Sequence, residues 1–109
     1  MPQSYEILGQ VSPSPNTVTN VFVTGASSSA IVSTITLHNF SDSNTSYSLL
    51  VRPINEAEDR KHFIIRGGVL PARELITITG AVTMNSLAIL AANTGGSSVS
   101  INAYGVEIT

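Results

Sequence analysis

The sequence predicts an all-β chain: a single-domain antiparallel β-sandwich of about eight strands, with jelly-roll or immunoglobulin-like topology. Three observations carry this. Apolar and polar residues alternate with period two through most of the chain, in β-branched and aromatic residue types. Clusters of Ser, Asn, Asp, Gly and Pro interrupt the alternation at roughly ten-residue intervals, the spacing of short strands in sandwiches and barrels. The three- and four-residue spacing of an amphipathic helix does not appear. With 109 residues and no cysteine, the chain has the length of one domain and buries a core without disulfides.

The clearest stretch is residues 29–54, SAIVSTITLHNFSDSNTSYSLLVRPI. It reads as a central hairpin: two long strands joined by the polar turn Phe40–Asn44, whose Ser, Asp and Asn side chains bond their own backbone. Ile31, Ser33, Ile35 and Leu37 fall on one face, and Val32, Thr34, Thr36 and His38 on the other. After the turn, Tyr47, Leu49 and Val51 lie opposite Ser48, Leu50 and Arg52. The sequons at Asn39 and Asn44 read as ordinary polar turn residues.

Residues 1–16 form an extended lead-in to a sandwich domain spanning 17–109. Tyr5, Ile7 and Leu8 make a short first strand. Pro13 and Pro15 hold the following segment at an edge or in a linker, because proline donates no ladder hydrogen bond. Residues 17–24 alternate, with Val18 and Phe22 on one face and Val21 and Val23 on the other. Residues 55–60, NEAEDR, form an exposed loop or one helical turn. In the next strand, 61–66, Phe63 and Ile65 share a face opposite His62 and Ile64. Gly67 and Gly68 mark a turn or bulge. Ile76 and Ile78 alternate with Leu75 and Thr77 until Gly80 breaks the strand. Residues 87–92, LAILAA, are apolar on both faces, which suits a central buried strand or a subunit contact. NTGGS at 93–97 is a hairpin turn. The closing strand sets Val99, Ile101 and Ala103 against Asn102, Tyr104 and Val106.

Charge is the unusual quantity. Charged residues make up 11% of the chain, against about 25% in an average soluble protein. Lys61 is the single lysine, and nine of the twelve charges lie between Arg52 and Glu74. None lies between Leu75 and Val106. Free monomers keep themselves soluble and blunt sheet edges with charge, lysine above all. A chain that does not is either a neutral sandwich coated with Ser and Thr or one whose surface lies against other subunits, and the second is the expectation here. Leu87, Ile89, Leu90, Val99 and Tyr104 are the expected interface residues. Phe40, Arg52, Arg60 and Lys61 are expected exposed contacts. The net charge of −2 argues against nucleic acid as a partner. The short apolar runs argue against a membrane span, and MPQSYEILGQ lacks the basic and apolar regions of a secretory signal.

No catalytic constellation, metal set or cofactor site is expected. His38 and His62 lack metal-ligand spacing, although they could meet across the sheets. Glu56, Glu58 and Asp59 lack the alternation and glycine of a Ca²⁺ loop. The two diglycines open no helix after a strand and are not phosphate loops. Arg52, Arg60, Lys61, Arg66 and Arg73 are interleaved with acids, so ion pairing is their expected use.

From about Tyr5 to the C-terminus the chain resembles small all-β virion structural proteins of tailed bacteriophages. ILGQVSPSPNTVTNVFVT, IVSTITLHN, YSLLVRP, RKHFIIRGGVLPA, LITITG and SVSINAYGVEI carry the resemblance, and VRP followed by KHF is its most particular element. It implies a non-enzymatic homo-oligomeric β-sandwich in the virion, made in the host cytoplasm and assembled with major capsid or tail proteins. It brings no catalytic residues. It leaves open a capsid decoration (cement) role or a tail- or fibre-associated one, the latter with receptor or glycan binding.

Overall fold

Eight strands are divided between two four-stranded antiparallel sheets in a computed structural model of the chain, which describes residues 5–108 and, within them, the side chains of all but Tyr5 and Ala81. The strands are β1 (Tyr5–Val11), β2 (Thr19–Val23), β3 (Ser29–Asn39), β4 (Thr45–Pro53), β5 (Phe63–Leu70), β6 (Leu75–Met84), β7 (Ala88–Thr94) and β8 (Val99–Ile108). One sheet has the order β1-β8-β3-β6 and the other β2-β7-β4-β5. The antiparallel partners 1 with 8, 2 with 7, 3 with 6 and 4 with 5 are nested. The chain is therefore a long ribbon folded back near its middle and rolled into two layers. That is the jelly-roll order, not the immunoglobulin order in which A-B-E-D faces C-F-G.

This topology corrects the central hairpin. β3 pairs with β6 and β8, whereas β4 pairs with β5 and β7. Residues 40–44 cross from one sheet to the other, and 95–98 cross likewise between β7 and β8. Alternation and turn composition identify strands and turns, but a polar connection of this length serves a hairpin or a crossing equally well. Residues 5–11, within the expected lead-in, pair with β8 at the edge of the first sheet.

The core lies between the layers. Val32, Ile35, Leu37, Val99, Ile101 and Ala103 from the first sheet meet Tyr47, Leu49, Leu90 and Ala92 from the second. A smaller cluster covers the outside of the second sheet, where Leu50, Ile89 and Ala91 pack with Phe63. β7, central in its sheet, is thus apolar on both faces because both are covered.

Bulges reset the face pattern. Both registers of β3 shift between Val32 and Thr34: against β8 the extra residue is Ser33, and against β6 it lies on β6, where Gly80 and Ala81 oppose Ser33. Val32 consequently points inward with Ile35 and Leu37, while Ile31 stands 38% exposed. This inverts the expected faces of both residues. A shift between Asn20 and Phe22 lets Val21 and Phe22 both reach the core and leaves Val23 outside. A shift at Ile64 puts Phe63 outside and Ile65 inside, on opposite faces. Gly67, with φ 72°, sits in a further bulge of β5. Gly80, with φ 124°, bulges β6 without ending it.

Two buried polar residues fasten the crossings. Thr24 Oγ1 donates to the Asn85 carbonyl (2.6 Å) and accepts from the Ala88 N–H (2.8 Å). Asn39, wholly buried at the end of β3, donates through Nδ2 to the carbonyls of Ser43 (2.8 Å), Leu70 (3.1 Å) and Pro71 (3.2 Å). Its Oδ1 accepts from the Ser41 N–H and hydroxyl. Asn39 is therefore the anchor of the crossing and not a surface turn residue.

Candidate functional site

The strand register builds one continuous feature: the outward face of the first sheet. Its cross-strand rows are Val106–Ile31–Thr83, then Ile7–Tyr104–Thr34–Thr79, then Gln10–Asn102–Thr36–Thr77, then Ser100–His38–Leu75. None of these positions is a Lys, Arg, Asp or Glu. Glu6 and Glu107 fall at the alternate register positions, opposite Gly105 and Ala30 near one end of the sheet. Hydroxyls occupy the centre of the face, and exposed apolar side chains flank them: Ile7 (55%), Ile31 (38%) and Leu75 (60%). Gln10 Nε2 donates to Asn102 Oδ1 (2.8 Å), which links the two amides across the face. At the strand and residue spacings of a sheet, four strands by four rows cover on the order of 500 Å² before side-chain relief is counted.

The expected interface residues separate by burial. Leu90 and Val99 are wholly enclosed in the core, and Ile89 is 5% exposed beneath Phe63. These three present no surface to a partner, because the apolar faces of β7 and β8 are already covered by this chain. Leu87 is exposed in the turn before β7, at φ 55°. Tyr104 alone belongs to the outward face of the first sheet. Thr34, Thr36, Thr77, Thr79 and Asn102 were not singled out by sequence, because a hydroxyl position reads the same on a free surface and on a covered one. Their pairing across strands is what gathers them.

The charged segment forms a separate, self-contained cap beside the second sheet. Arg52 Nη1 donates to the Glu56 carbonyl (2.7 Å). Lys61 Nζ lies 3.5 Å from Glu56 Oε1, with both side chains exposed. Asp59 caps the short 3₁₀ turn Arg60–His62 by accepting from the Arg60 N–H. His62 is buried; its Nδ1 accepts from the Asp59 N–H (3.0 Å), so Nε2 is the nitrogen facing Glu56 Oε1 at 3.2 Å. Arg66 lies over the Phe63 ring at 5.3 Å. Arg73 pairs with Asp42. Arg60 remains exposed. Ion pairs, backbone caps and a cation–π contact thus occupy most of these side chains with one another. His38 is on the first sheet's outer face beside Phe40, with ring centroids 6.2 Å apart, so the two histidines have separate surroundings. No group of three or more metal-ligating side chains comes together among the described residues.

Phe40 is 50% exposed. A 270 Å³ depression opens between the two crossings, lined by Ser43, Asn44, Thr45, Gly96 and Ser97; Phe40 is not among its lining residues. A second depression of similar volume lies between Arg52, Pro53, Thr83, Met84 and Ser86. Neither holds a nucleophile paired with a base. No family model and no curated protein matches the chain.

Proposed function

We propose that the protein is a non-enzymatic virion structural protein of a tailed phage: a capsid decoration, or cement, protein that stabilises the shell through subunit contacts. The single observation that carries this reading is the uncharged outer face of the first sheet. A surface of hydroxyls and exposed apolar side chains is covered without desolvating charge. Its extent approaches the roughly 800 Å² that one partner contributes to a standard interface. The resemblance to small phage virion proteins supplies the class of partner, a second copy of the chain and a major capsid or tail protein. The charged cap, tied up internally, faces solvent.

The test is co-sedimentation with phage particles stripped of the protein. The wild type binds saturably and delays heat disruption of the shell. Thr36→Asp, which places a carboxylate at the centre of the face, lowers particle affinity at least tenfold. Absence of saturable binding by the wild type, or binding by the variant equal to wild type, contradicts the proposal.

A second reading, a tail- or fibre-associated module that binds a receptor glycan, draws on exposed Phe40 and on the hydroxyl-lined depression between the two crossings. Such sites combine an apolar platform with a few placed polar groups. Glycan-array binding lost in Phe40→Ala, with no particle binding, selects it.

A further inference from the structure

We infer that β6 is an open sheet edge through which two copies of the chain pair, β6 against β6, in an antiparallel arrangement about a twofold axis at Thr77. The inference deepens the proposed assembly role by naming a partner and an edge, and its geometry stands without the virion assignment.

A sandwich of two four-stranded sheets has four edge strands, and three of these are defended. β1 and β2 close on each other: a Cβ at Gly9 would coincide with the Val21 carbonyl oxygen, so the two backbones meet there only because Gly9 has no side chain. β5 carries Arg66 and is interrupted by register shifts at Ile64 and at Arg66–Gly67. Among the described residues β6 pairs only with β3. It spans ten residues, LITITGAVTM, with no charge and no proline. It therefore lacks the charge and proline that natural edges use to block strand addition.

The bulge at Gly80 limits the regular part to Leu75–Thr79. That segment is self-complementary. Antiparallel pairing about Thr77 sets Ile76 against Ile78 and Leu75 against Thr79. Ile76 and Ile78 already pack on the core from its edge and remain only partly buried, so the second copy completes their cover. Leu75, 60% exposed, gains a neighbour on the outer face. No like charges meet at the axis. The two sheets become one of eight strands, with the uncharged outer faces joined.

The contact is small. Five residues extend about 17 Å, and the molecule is 20 Å across its shortest dimension. The pair therefore buries well under the roughly 1,200 Å² of a standard complex and belongs with weak interfaces.

Light scattering from about 10 μM to about 1 mM on the wild type, Thr77→Lys, Thr77→Glu and the equimolar mixture of the two variants tests the pairing. Thr77 is exposed, so both variants retain the fold. The wild type passes from monomer to dimer across the range. Each variant alone sets like charges opposite each other at the axis and associates at least tenfold more weakly. The mixture sets Lys opposite Glu and recovers dimerisation. A wild type monomeric at every concentration, variants that dimerise as well as wild type, or a mixture no better than its components would each overturn the inference. Particle binding is scored on its own, by co-sedimentation of the wild type with stripped phage particles. Failure of edge pairing and failure of particle binding are therefore read separately.

Discussion

Asn39→Asp is expected to destabilise the fold by about 4 kcal/mol, the cost of leaving a buried charge without a partner. The reason is geometric. The Asn39 amide nitrogen donates to three carbonyls drawn from two chain segments, Ser43 and Leu70–Pro71, and the residue is wholly buried. A carboxylate oxygen in its place faces three acceptors with no donor. For a domain near 100 residues, each kcal/mol lowers Tm by about 4–8 °C, so a loss of roughly 15–30 °C in thermal unfolding is expected. The deficit shrinks in acid. A buried, unpaired carboxyl has a raised folded-state pKa, so the variant's relative stability is fullest below the unfolded pKa near 4 and falls as pH rises through the folded value. A Tm within a few degrees of wild type at neutral pH would refute the anchor role of Asn39.

Gly105→Ala is expected to cost about 3 kcal/mol, at the upper end of overpacking penalties. A Cβ at Gly105 would coincide with the Ile31 carbonyl oxygen and lie 3.0 Å from Val32 Cα, both backbone atoms of the neighbouring strand that cannot rotate away. β8 must separate from β3 at the bulge to admit it. Gly67→Ala provides the contrast. Gly67 has φ 72° and open space around its Cβ position, so alanine there meets only the left-handed backbone penalty, about 1 kcal/mol. Urea titrations of the two variants separate steric exclusion from backbone strain. Equal losses would show that the β3–β8 approach is looser than the structure has it.

How far the sequence discloses this protein depends on which physical signal each feature leaves. Alternation in β4, β6 and β8 is undisturbed through its regular stretches, and the inward sets Tyr47–Leu49–Val51, Ile76–Ile78 and Val99–Ile101–Ala103 are readable directly. β3 defeats the same reading, because the bulge at Ser33 inverts the phase of Ile31 and Val32 while leaving no compositional mark. Phe63 and Ile65 fail for the same reason. Strand order is not legible in local composition at all; it arises from rolling the whole ribbon. The apolar LAILAA segment shows that a residue is covered but not by what, so Ile89 and Leu90 belong to the fold and not to a contact surface. The uncharged span from Leu75 to Val106 is visible in sequence. Its meaning emerges only when the register lays β6 and β8 beside β3 and gathers their outward residues onto one sheet face.

In the proposed cement role, the outer face of the first sheet is covered on the phage particle while the charged cap stays in solvent. Residue-resolved hydroxyl-radical footprinting of the protein, free and bound to its particle, tests it most directly. Protection of Tyr104, Ile31 and His38 on binding is expected, with Lys61 and Arg60 as reactive as in the free protein. Protection of the charged cap with the outer face of the first sheet left reactive would contradict it.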